Sequence, residues 1–377
     1  MPVLTHHFKV DNGDMSLFEL SSGRKMLIDI NIREPGDDIA DVHGQLRKLL
    51  SRDANDRLYV DVMLQTHPDS DHIRGFEKYF HTGPLEDWSE KDDKIVVREM
   101  WSSPMAFRRA SKNLVLCADA KAWAAEARRR VREHRNNNIV THPGDHIQVL
   151  GADVDGKTDD LGSILVKTGT VIDSIAGQVD GSFKALLLGP LNSIDDDDEE
   201  VLTKNNSSVV LQMTLAAPGN PQAAKYLYGG DAEVVVWEKM WATYPSHAFQ
   251  YDILLSPHHC SWHSLSHDSW SKDSNPAVAP DAKSALSQAL PGARVLASSK
   301  EIKDNNDDPP CYGAKLEYES IVNDNSVDGE FICLAEQLGD EPFTIEVTAN
   351  GPRPKRVEAA AIIGAADPMG RDPLGHG

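Results

Sequence analysis

A run of potential metal ligands directly after an apolar segment constrains this chain more than any other feature. Residues 58–65, LYVDVMLQ, have the apolar content of a buried strand, and the sequence HPDSDH follows immediately after Thr66. Alternate side chains of an extended segment point the same way, so His67, Asp69 and Asp71 are expected to face one side. His72 follows where the chain turns. Imidazole and carboxylate groups bind zinc, iron and manganese, so this segment predicts a metal site. The alternative interpretation is a polar turn in which an aspartate caps a helix.

Two later apolar segments also end in potential ligands. The sequence YLYGGD ends at Asp231, and its two glycines allow the backbone to turn tightly beneath a site. The sequence ILLSPHH ends at His258 and His259. Each segment alone is weak evidence, because a strand-end aspartate often caps a turn and paired histidines are often surface residues. Together with the first segment they predict that three strand ends contribute ligands to one site.

Composition and charge limit the classes of protein to which this chain can belong. Its 377 residues suffice for one large α/β domain with insertions or for two ordinary domains. A net charge of -21 repels a polyanion at long range and disfavours a non-specific nuclease, although bound metal and a local basic patch reverse the field near a site. The first ten residues lack the features of a signal peptide, no segment has the apolar length of a membrane helix, and the four cysteines show no CxxC spacing. We therefore expect a cytoplasmic protein with reduced thiols and no membrane contact.

Local patterns predict short strands that alternate irregularly with helices, which favours mixed sheets over a doubly wound parallel sheet. A hairpin is expected in residues 7–30, and helices are expected at 41–51 and 118–135. Further strands are predicted at 147–150, 183–188, 208–213, 225–228, 253–256 and 293–298. We expect one domain over residues 1–350, with a helical insertion at about 104–138 and an acidic loop at 193–204. Residues 351–377, rich in Gly, Pro and Ala, are expected to form a flexible tail.

Several short segments, taken in order, resemble one family. They are VDNGD at 10–14, MLID at 26–29, NNSSVVL at 205–211, GDAE at 230–233 and HHCS at 258–261. Together with HPDSDH they are similar to the metallo-β-lactamase superfamily, whose signature is HxHxDH followed by later His, Asp and His ligands. The branch they resemble most is the hydrolase domain of competence DNA-uptake channel proteins and their free-standing relatives. The resemblance covers about residues 8–265 and implies an αββα sandwich of two mixed β-sheets flanked by helices, with insertions.

The same resemblance implies two divalent metal ions, zinc or manganese, held by imidazole and carboxylate groups. By position in the motifs, the first ion is bound by His67 and Asp69, the second by Asp71, His72 and His258, with His259 as the alternative to His258, and Asp231 bridges both. Asn205 is expected near the first ion, where other branches have a histidine.

The chain departs from the family pattern at three places. Asp69 replaces the second histidine of HxHxDH, which favours manganese or a weakly held first ion. Cys260 replaces the glycine of HHGS, and we interpret it as a small buried residue in preference to a thiolate ligand. The later YGHPH element is absent, and DPPCYGA at 308–314 stands in its approximate place without a histidine. This last departure weakens the inference of a nuclease.

These features favour a hydrolase that activates water on a phosphodiester of a small molecule or nucleic acid. Asp71 is the candidate proton acceptor, and His263, or else His267, is the candidate proton donor to the leaving group. Arg74 is expected either to hold a phosphate oxygen or to form a surface ion pair. Two alternatives stay open. One is hydrolysis of a neutral ester, lactone or amide, which the negative charge favours. The other is a protein-binding subunit with weak or lost catalysis, whose insertions or tail contact the partner.

Overall fold

The computed structural model describes residues 1–36, 39–104, 115–137, 142–151, 158–191, 205–273 and 276–355. The predicted acidic loop at 193–204 lies outside these residues. So do residues 105–114 of the predicted insertion and residues 356–377 of the predicted tail.

Helices and strands alternate irregularly along the described chain. The helices are α1 (Val42–Leu49), α2 (Phe76–Tyr79), α3 (Ala118–Asn137), α4 (Val234–Thr243), α5 (Pro257–Cys260), α6 (Pro280–Leu286) and α7 (Tyr312–Asn325). The strands of the first half are β1 (Val3–His7), β2 (Ser16–Glu19), β3 (Lys25–Ile28), β4 (Ile30–Asn31), β5 (Ser51–Arg52), β6 (Leu58–Gln65), β7 (Ile73–Arg74), β8 (Val96–Ser102), β9 (His146–Leu150), β10 (Leu165–Val166), β11 (Val171–Ile172), β12 (Ser174–Ile175) and β13 (Gln178–Val179). Those of the second half are β14 (Phe183–Gly189), β15 (Val210–Ala217), β16 (Asn220–Tyr228), β17 (Tyr251–Leu255), β18 (Ala289–Ala297), β19 (Glu330–Cys333), β20 (Phe343–Thr348) and β21 (Gly351–Pro354).

Two large sheets, both mixed, organise the described part of the chain. The first has the order β10-β9-β8-β6-β3-β2-β1-β20-β21, with β5 also paired to β6. Its strands are parallel from β10 to β3 and antiparallel from β3 to β21. The second has the order β11-β14-β15-β16-β17-β18-β19, antiparallel up to β16 and parallel beyond it. The mixed sheets agree with the expectation from sequence.

An apolar core joins the two sheets face to face. Phe18 of β2 and Tyr226 of β16 are buried there with ring centroids 5.4 Å apart in an edge-to-face contact. Tyr226 also bonds across the core, since its hydroxyl lies 2.9 Å from the Thr5 hydroxyl of β1. Trp101 of β8 and Phe183 of β14 make a second contact between the sheets. Burying each such aromatic side chain contributes roughly 1.5–3 kcal/mol.

The outer face of each sheet is covered by helices. Trp123 and Ala127 of α3 pack with Phe76 of α2 and Leu46 of α1 in a core that includes the first sheet. Residues of α4, α6 and α7 form another core with the second sheet. The described chain is therefore a mixed α/β structure that is compatible with the predicted sandwich. None of its described helices combines the length and apolarity required to cross a bilayer.

Three predicted boundaries differ from the structure. The first strand covers residues 3–7 and its hairpin partner begins at Ser16, whereas we expected the hairpin to lie within residues 7–30. Strand β8 was not predicted. The predicted tail beginning at residue 351 is wrong at its start, because Gly351–Pro354 pairs with β20. The sequence GPRP disfavours a strand, but prolines are tolerated at a sheet edge, where alternate amides face away from the partner.

Candidate metal centre

The carboxyl ends of four strands meet at one edge of the two sheets. In the first sheet, β3 and β6 are parallel neighbours. Asp29 follows β3, and the loop that begins at His67 follows β6. In the second sheet, β16 and β17 are parallel neighbours, and Asp231 and the pair His258-His259 follow them. Backbone hydrogen bonds join these ends, from Val209 N to Thr66 O at 3.0 Å and from His258 N to Gly230 O at 3.0 Å. The predicted convergence of ligand-bearing strand ends is therefore present.

Asp231 lies between two pairs of imidazoles. Its Oδ1 is 2.9 Å from Nε2 of His72 and 3.4 Å from Nε2 of His259. Its Oδ2 is 3.5 Å from Nε2 of His67 and 3.7 Å from Nε2 of His258. The side chain is almost fully buried. One carboxylate thus presents a different oxygen to each histidine pair.

A tight, buried subset of these groups could hold a metal ion. One potential ligand atom from each of Asp14, His72, Asp231 and His259 lies within 4.8 Å of the corresponding atom of every other member. Sequence reasoning missed Asp14 as a member. Its only signal was its place at the end of VDNGD, a segment that resembles a family motif.

Two further carboxylates extend the cluster towards solvent. Asp71 Oδ2 is 3.5 Å from Nε2 of His259, and Asp69 Oδ2 is 3.6 Å from Nε2 of His67. The side chains of Asp71 and Asp69 are 33% and 25% exposed, whereas the histidines are buried. The HPDSDH loop therefore forms the more exposed side of the cluster.

Several buried ligand atoms have no hydrogen-bond partner. They include Nε2 of His67, Nδ1 of His258 and Oδ1 of Asp231. In addition, Nε2 of His72 and Nε2 of His259 lie only 3.2 Å apart. Leaving a buried polar atom unpaired costs about 1–3 kcal/mol, so such atoms call for a partner. A cation among them would satisfy these nitrogen and oxygen lone pairs, and the donor set fits a divalent metal.

Asp29 fixes the orientation of His72. Its Oδ2 accepts from Nδ1 of His72 at 2.8 Å and from the Thr66 hydroxyl at 2.6 Å. Its Oδ1 accepts from Thr66 N at 2.7 Å. These bonds favour a proton on Nδ1, which leaves the Nε2 lone pair of His72 directed at Asp231. Such carboxylate–histidine pairs typically support metal ligands.

The turn before β2 supports His259. The amide of Gly13 donates to Nδ1 of His259 at 3.2 Å, and Oδ1 of Asp14 lies 3.7 Å from the same nitrogen. The Ser298 hydroxyl donates to Gly13 O at 2.6 Å and fixes this turn to the second sheet. A Cβ at position 13 would lie 2.8 Å from the carbonyl oxygen of Asp71, so glycine is required for this close approach.

The adjacent histidines reach the two oxygens of Asp231 through a left-handed backbone turn. His258, His259 and Cys260 have φ angles of 50°, 53° and 66°. This conformation costs roughly 1–2 kcal/mol for each residue with a side chain. In an ordinary strand these neighbouring side chains would point to opposite faces. The strained turn instead lets both histidines contact one carboxylate.

Cys260 is the third residue of this turn. The thiol is buried, and burial raises its pKa well above the ordinary value, so it stays protonated. Its carbonyl accepts from the amide of Cys311 at 2.9 Å. These facts fit a small buried residue, as expected from the sequence, and the thiol lies outside the buried ligand group.

The electrostatics of the cluster favour added positive charge. Burial alone would lower the pKa of His72 and of His259, but Asp231 and other nearby carboxylates outweigh burial and raise both values well above normal. Burial would raise the pKa of Asp231, but the surrounding histidines hold it well below normal. Added positive charge is therefore favoured at His72 and His259, while burial lowers the pKa of His258 and Asp231 stays ionised.

The positions of His258 and His259 relative to Asp231 differ from the expectation. We expected His258 to serve the second ion, with His259 as the alternative, but His259 is the residue beside Asp71 and His72. His258 instead lies at the oxygen of Asp231 that faces His67. Asn205, expected near the first ion, donates its side-chain amide to Glu233 at 3.0 Å.

Two predicted catalytic candidates follow His258 and His259 in the chain. His263 is 46% exposed, with Nε2 3.7 Å from Oδ2 of Asp308. The other Asp308 oxygen accepts from the Ser261 hydroxyl at 2.6 Å and from Trp262 N at 3.0 Å. The alternative candidate, His267, is exposed and paired with Glu238.

Arg74 does not form the surface ion pair that was the alternative prediction. Its guanidinium donates to the hydroxyl of Ser70, within the HPDSDH loop, at 3.2 Å. No carboxylate partner of this group is found in the described part of the chain. It lines a cavity of about 590 Å³ beside the loop, together with Tyr79 and other residues.

Comparison with known proteins adds no identification. The sequence matches no model of a known protein family, and a search of curated proteins finds no match either.

Proposed function

We propose that this protein is a metal-dependent hydrolase of the metallo-β-lactamase superfamily, with a dinuclear centre of zinc or manganese. The observation that carries the proposal is the shared carboxylate of Asp231, which offers each oxygen to a separate histidine pair. The two mixed sheets, with ligands at their common edge, support the assignment to this superfamily.

The distances favour two sets of ligands that share Asp231. The first set has His67, Asp69 and His258, and the second has Asp71, His72 and His259. Asp29 acts through His72, because it contacts the Nδ1 side of that ring, and Asp14 is a further potential ligand beside His259. Each set combines nitrogen and oxygen donors, which suits zinc and manganese.

Divalent ions at this centre would supply an activated water and neutralise charge that develops during hydrolysis. The protein residues supply orientation and proton transfer. Asp71 is held ionised by His259 and His72, which lower its pKa against the effect of burial. Because it faces solvent, it is placed to accept a proton from the attacking water.

His263 is the candidate proton donor to the leaving group. It extends from the same connection as His258 and His259, and the carboxylate of Asp308 faces its Nε2. Ser261 and the amide of Trp262 hold that carboxylate in place. The segment around Asp308 stands where the family has a histidine-containing element, so His263 would replace that missing imidazole.

Among the substrate classes, a phosphodiester is favoured by Arg74. Arg33 and Lys78 line the same cavity, but they pair with Asp11 and Glu34. Glu77 and Asp119 also line this cavity, but among the described residues Arg74 forms no ion pair, and its guanidinium lies next to the ligand loop. A guanidinium binds phosphate oxygens well and gains little from a neutral ester.

The first test combines metal analysis with turnover. Purified protein is expected to contain bound zinc or manganese and to hydrolyse bis(p-nitrophenyl) phosphate faster than p-nitrophenyl acetate. The Asp231→Asn variant keeps the shape of the side chain but removes its charge, and it is expected to lose most metal and turnover. The exposed Asp324→Asn variant is the matched control.

Each outcome has a defined meaning. Metal with acetate turnover alone would support the neutral-ester alternative. Metal-free protein, or loaded protein without turnover on either reporter, would contradict the proposal and favour a protein-binding subunit. Loss of metal in Asp324→Asn as well would show that the effect is not specific to the centre.

A further inference from the structure

A second cavity lies away from the metal cluster, between α1, the end of β1 and the connection into β20. Its volume is about 680 Å³, within the range of roughly 300–1,000 Å³ that is typical of small-molecule sites. None of the cluster residues lines it. The cavity is therefore distinct from the metal centre.

The charge of this cavity is opposite to that of the chain as a whole. Three lysines, Lys9, Lys48 and Lys355, line it with a single carboxylate, Glu341. The described residues provide no ion-pair partner for any of these lysines. In a chain of net charge -21, three ammonium groups around one cavity, with Glu341 in the wall and Asp340 near Lys9, leave a local excess of positive charge that attracts anions.

Lys9 is a fixed part of the wall. Its ammonium donates to the backbone carbonyls of Gln337 at 2.7 Å and Leu338 at 3.3 Å, and also to that of Gly339. These bonds hold the charge in place without neutralising it. Lys48 and Lys355 are exposed and free to close on a ligand.

Two polar side chains of the wall, Gln45 and His6, are buried, and their unpartnered acceptor atoms are enclosed and do not face the cavity. Gln45 is 7% exposed; its Nε2 donates to Asp340 O, but its Oε1 has no partner. His6 is 6% exposed, and its Nδ1 lies 3.0 Å from the hydroxyl of Thr344. That hydroxyl donates to Pro342 O, so it accepts from Nδ1, and the unpartnered Nε2 of His6 carries a lone pair.

The remaining wall is apolar and includes an aromatic ring. Leu49, Pro342 and Phe343 line the cavity, and Leu338 at its edge is 99% exposed. A ligand that fits has an anionic group for the lysines and a flat apolar body for Leu49, Pro342 and Phe343.

We propose that this cavity binds a phosphorylated small molecule of mononucleotide size, at a site separate from the metal centre. The lysines contact the phosphate, and the body of the ligand packs against the apolar wall of Leu49, Pro342 and Phe343. Neither the location nor the residues depend on the proposed hydrolase function.

Binding of adenosine 5′-monophosphate, measured by isothermal titration calorimetry, tests this proposal. Wild-type protein is expected to bind this nucleotide, while adenosine and inorganic phosphate each bind at least about tenfold more weakly, because each lacks one set of contacts. The double variant Lys48→Gln/Lys355→Gln should weaken binding by about tenfold or more, and added salt should do the same. Both lysines are exposed, so folding is expected to be unaffected.

Two control variants test whether the nucleotide binds in this cavity. Lys121→Gln/Lys303→Gln makes the same charge change at exposed positions elsewhere and should leave binding unchanged. Asp231→Asn disrupts the metal centre and should also leave it unchanged. The proposal is overturned by absence of binding at millimolar nucleotide, by equal losses in both lysine variants, or by loss in Asp231→Asn, which would place the nucleotide at the metal centre.

Discussion

Replacing Asp29 with asparagine tests how the ligand histidines are prepared for metal. Asp29 accepts three hydrogen bonds, one from His72 and two from Thr66. Asparagine can still accept from Thr66 N, but its amide would donate towards Nδ1 of His72. The His72 proton would then move to Nε2, which faces Asp231. Asparagine tolerates the φ of 52° at this position, so the backbone should stay in place.

The expected effect follows from the loss of the free Nε2 lone pair. Replacing the carboxylate partner of a ligand histidine usually costs about 10–100-fold in metal affinity, or about 1.4–2.7 kcal/mol. We expect this loss for zinc in competition titrations with a chelating dye. Nitrogen chemical shifts of His72 in metal-free protein should report the change of tautomer independently of activity.

Asp61→Asn is the matched control, because Asp61 is also buried and also accepts from a backbone amide and a second side chain. It lies in β6, away from the ligand-bearing end. Wild-type zinc affinity in Asp29→Asn, or an equal loss in Asp61→Asn, would refute the inference that Asp29 prepares His72.

Three further predictions address other residues. The variants His259→Ala and His258→Ala should each lose one equivalent of metal. Turnover should fall more in His259→Ala, because His259 lies in the ligand set of Asp71. Metal content equal to wild type in both variants would contradict the two ligand sets. The variant His263→Gln should strongly slow hydrolysis of an alkyl phosphodiester, whose leaving group needs a proton. It should slow hydrolysis of bis(p-nitrophenyl) phosphate only a little, because nitrophenolate leaves without a proton. An equal loss of rate on both esters would exclude proton donation by His263. Burial raises the pKa of Glu99 from 4.5 to about 7, despite the Trp101 indole and Arg130. The folded state therefore retains this proton, and the free energy of unfolding should fall by about 3 kcal/mol as pH rises from 4.5 to about 7. Urea unfolding across this pH range measures the change. The variant Glu99→Gln should not show it.

The sequence was most informative where a strand is followed directly by its ligands. The apolar run of β6 and the HPDSDH loop both lie where predicted, because a buried strand and a cluster of ligand side chains each leave a local signal. The mixed nature of the sheets was also predictable from the irregular alternation of strands and helices. β8 was missed although its pattern is apolar, since short apolar runs carry little information about helix or strand.

The division of labour between His258 and His259 was not predictable, because it depends on backbone conformation. In a chain that leaves a strand in extended conformation, the first histidine would be expected to lie nearest the strand end. Here three successive residues adopt positive φ, and the strand direction is lost within the turn. A cysteine at the third position gives no local indication of that conformation, whereas glycine would have done so.

The strain in this turn must be balanced by contacts elsewhere, and the surrounding segments supply them. The carbonyl of Cys260 accepts from Cys311, and the residues after it are held by the carboxylate of Asp308. The amide of His258 donates to Gly230 O, which fixes the start of the turn to the strand end that carries Asp231. Strained backbone persists only where its surroundings determine it, and it is concentrated at functional sites. The residues that close the turn therefore belong to the centre as much as the ligands do, because they hold two adjacent histidines on opposite oxygens of one carboxylate.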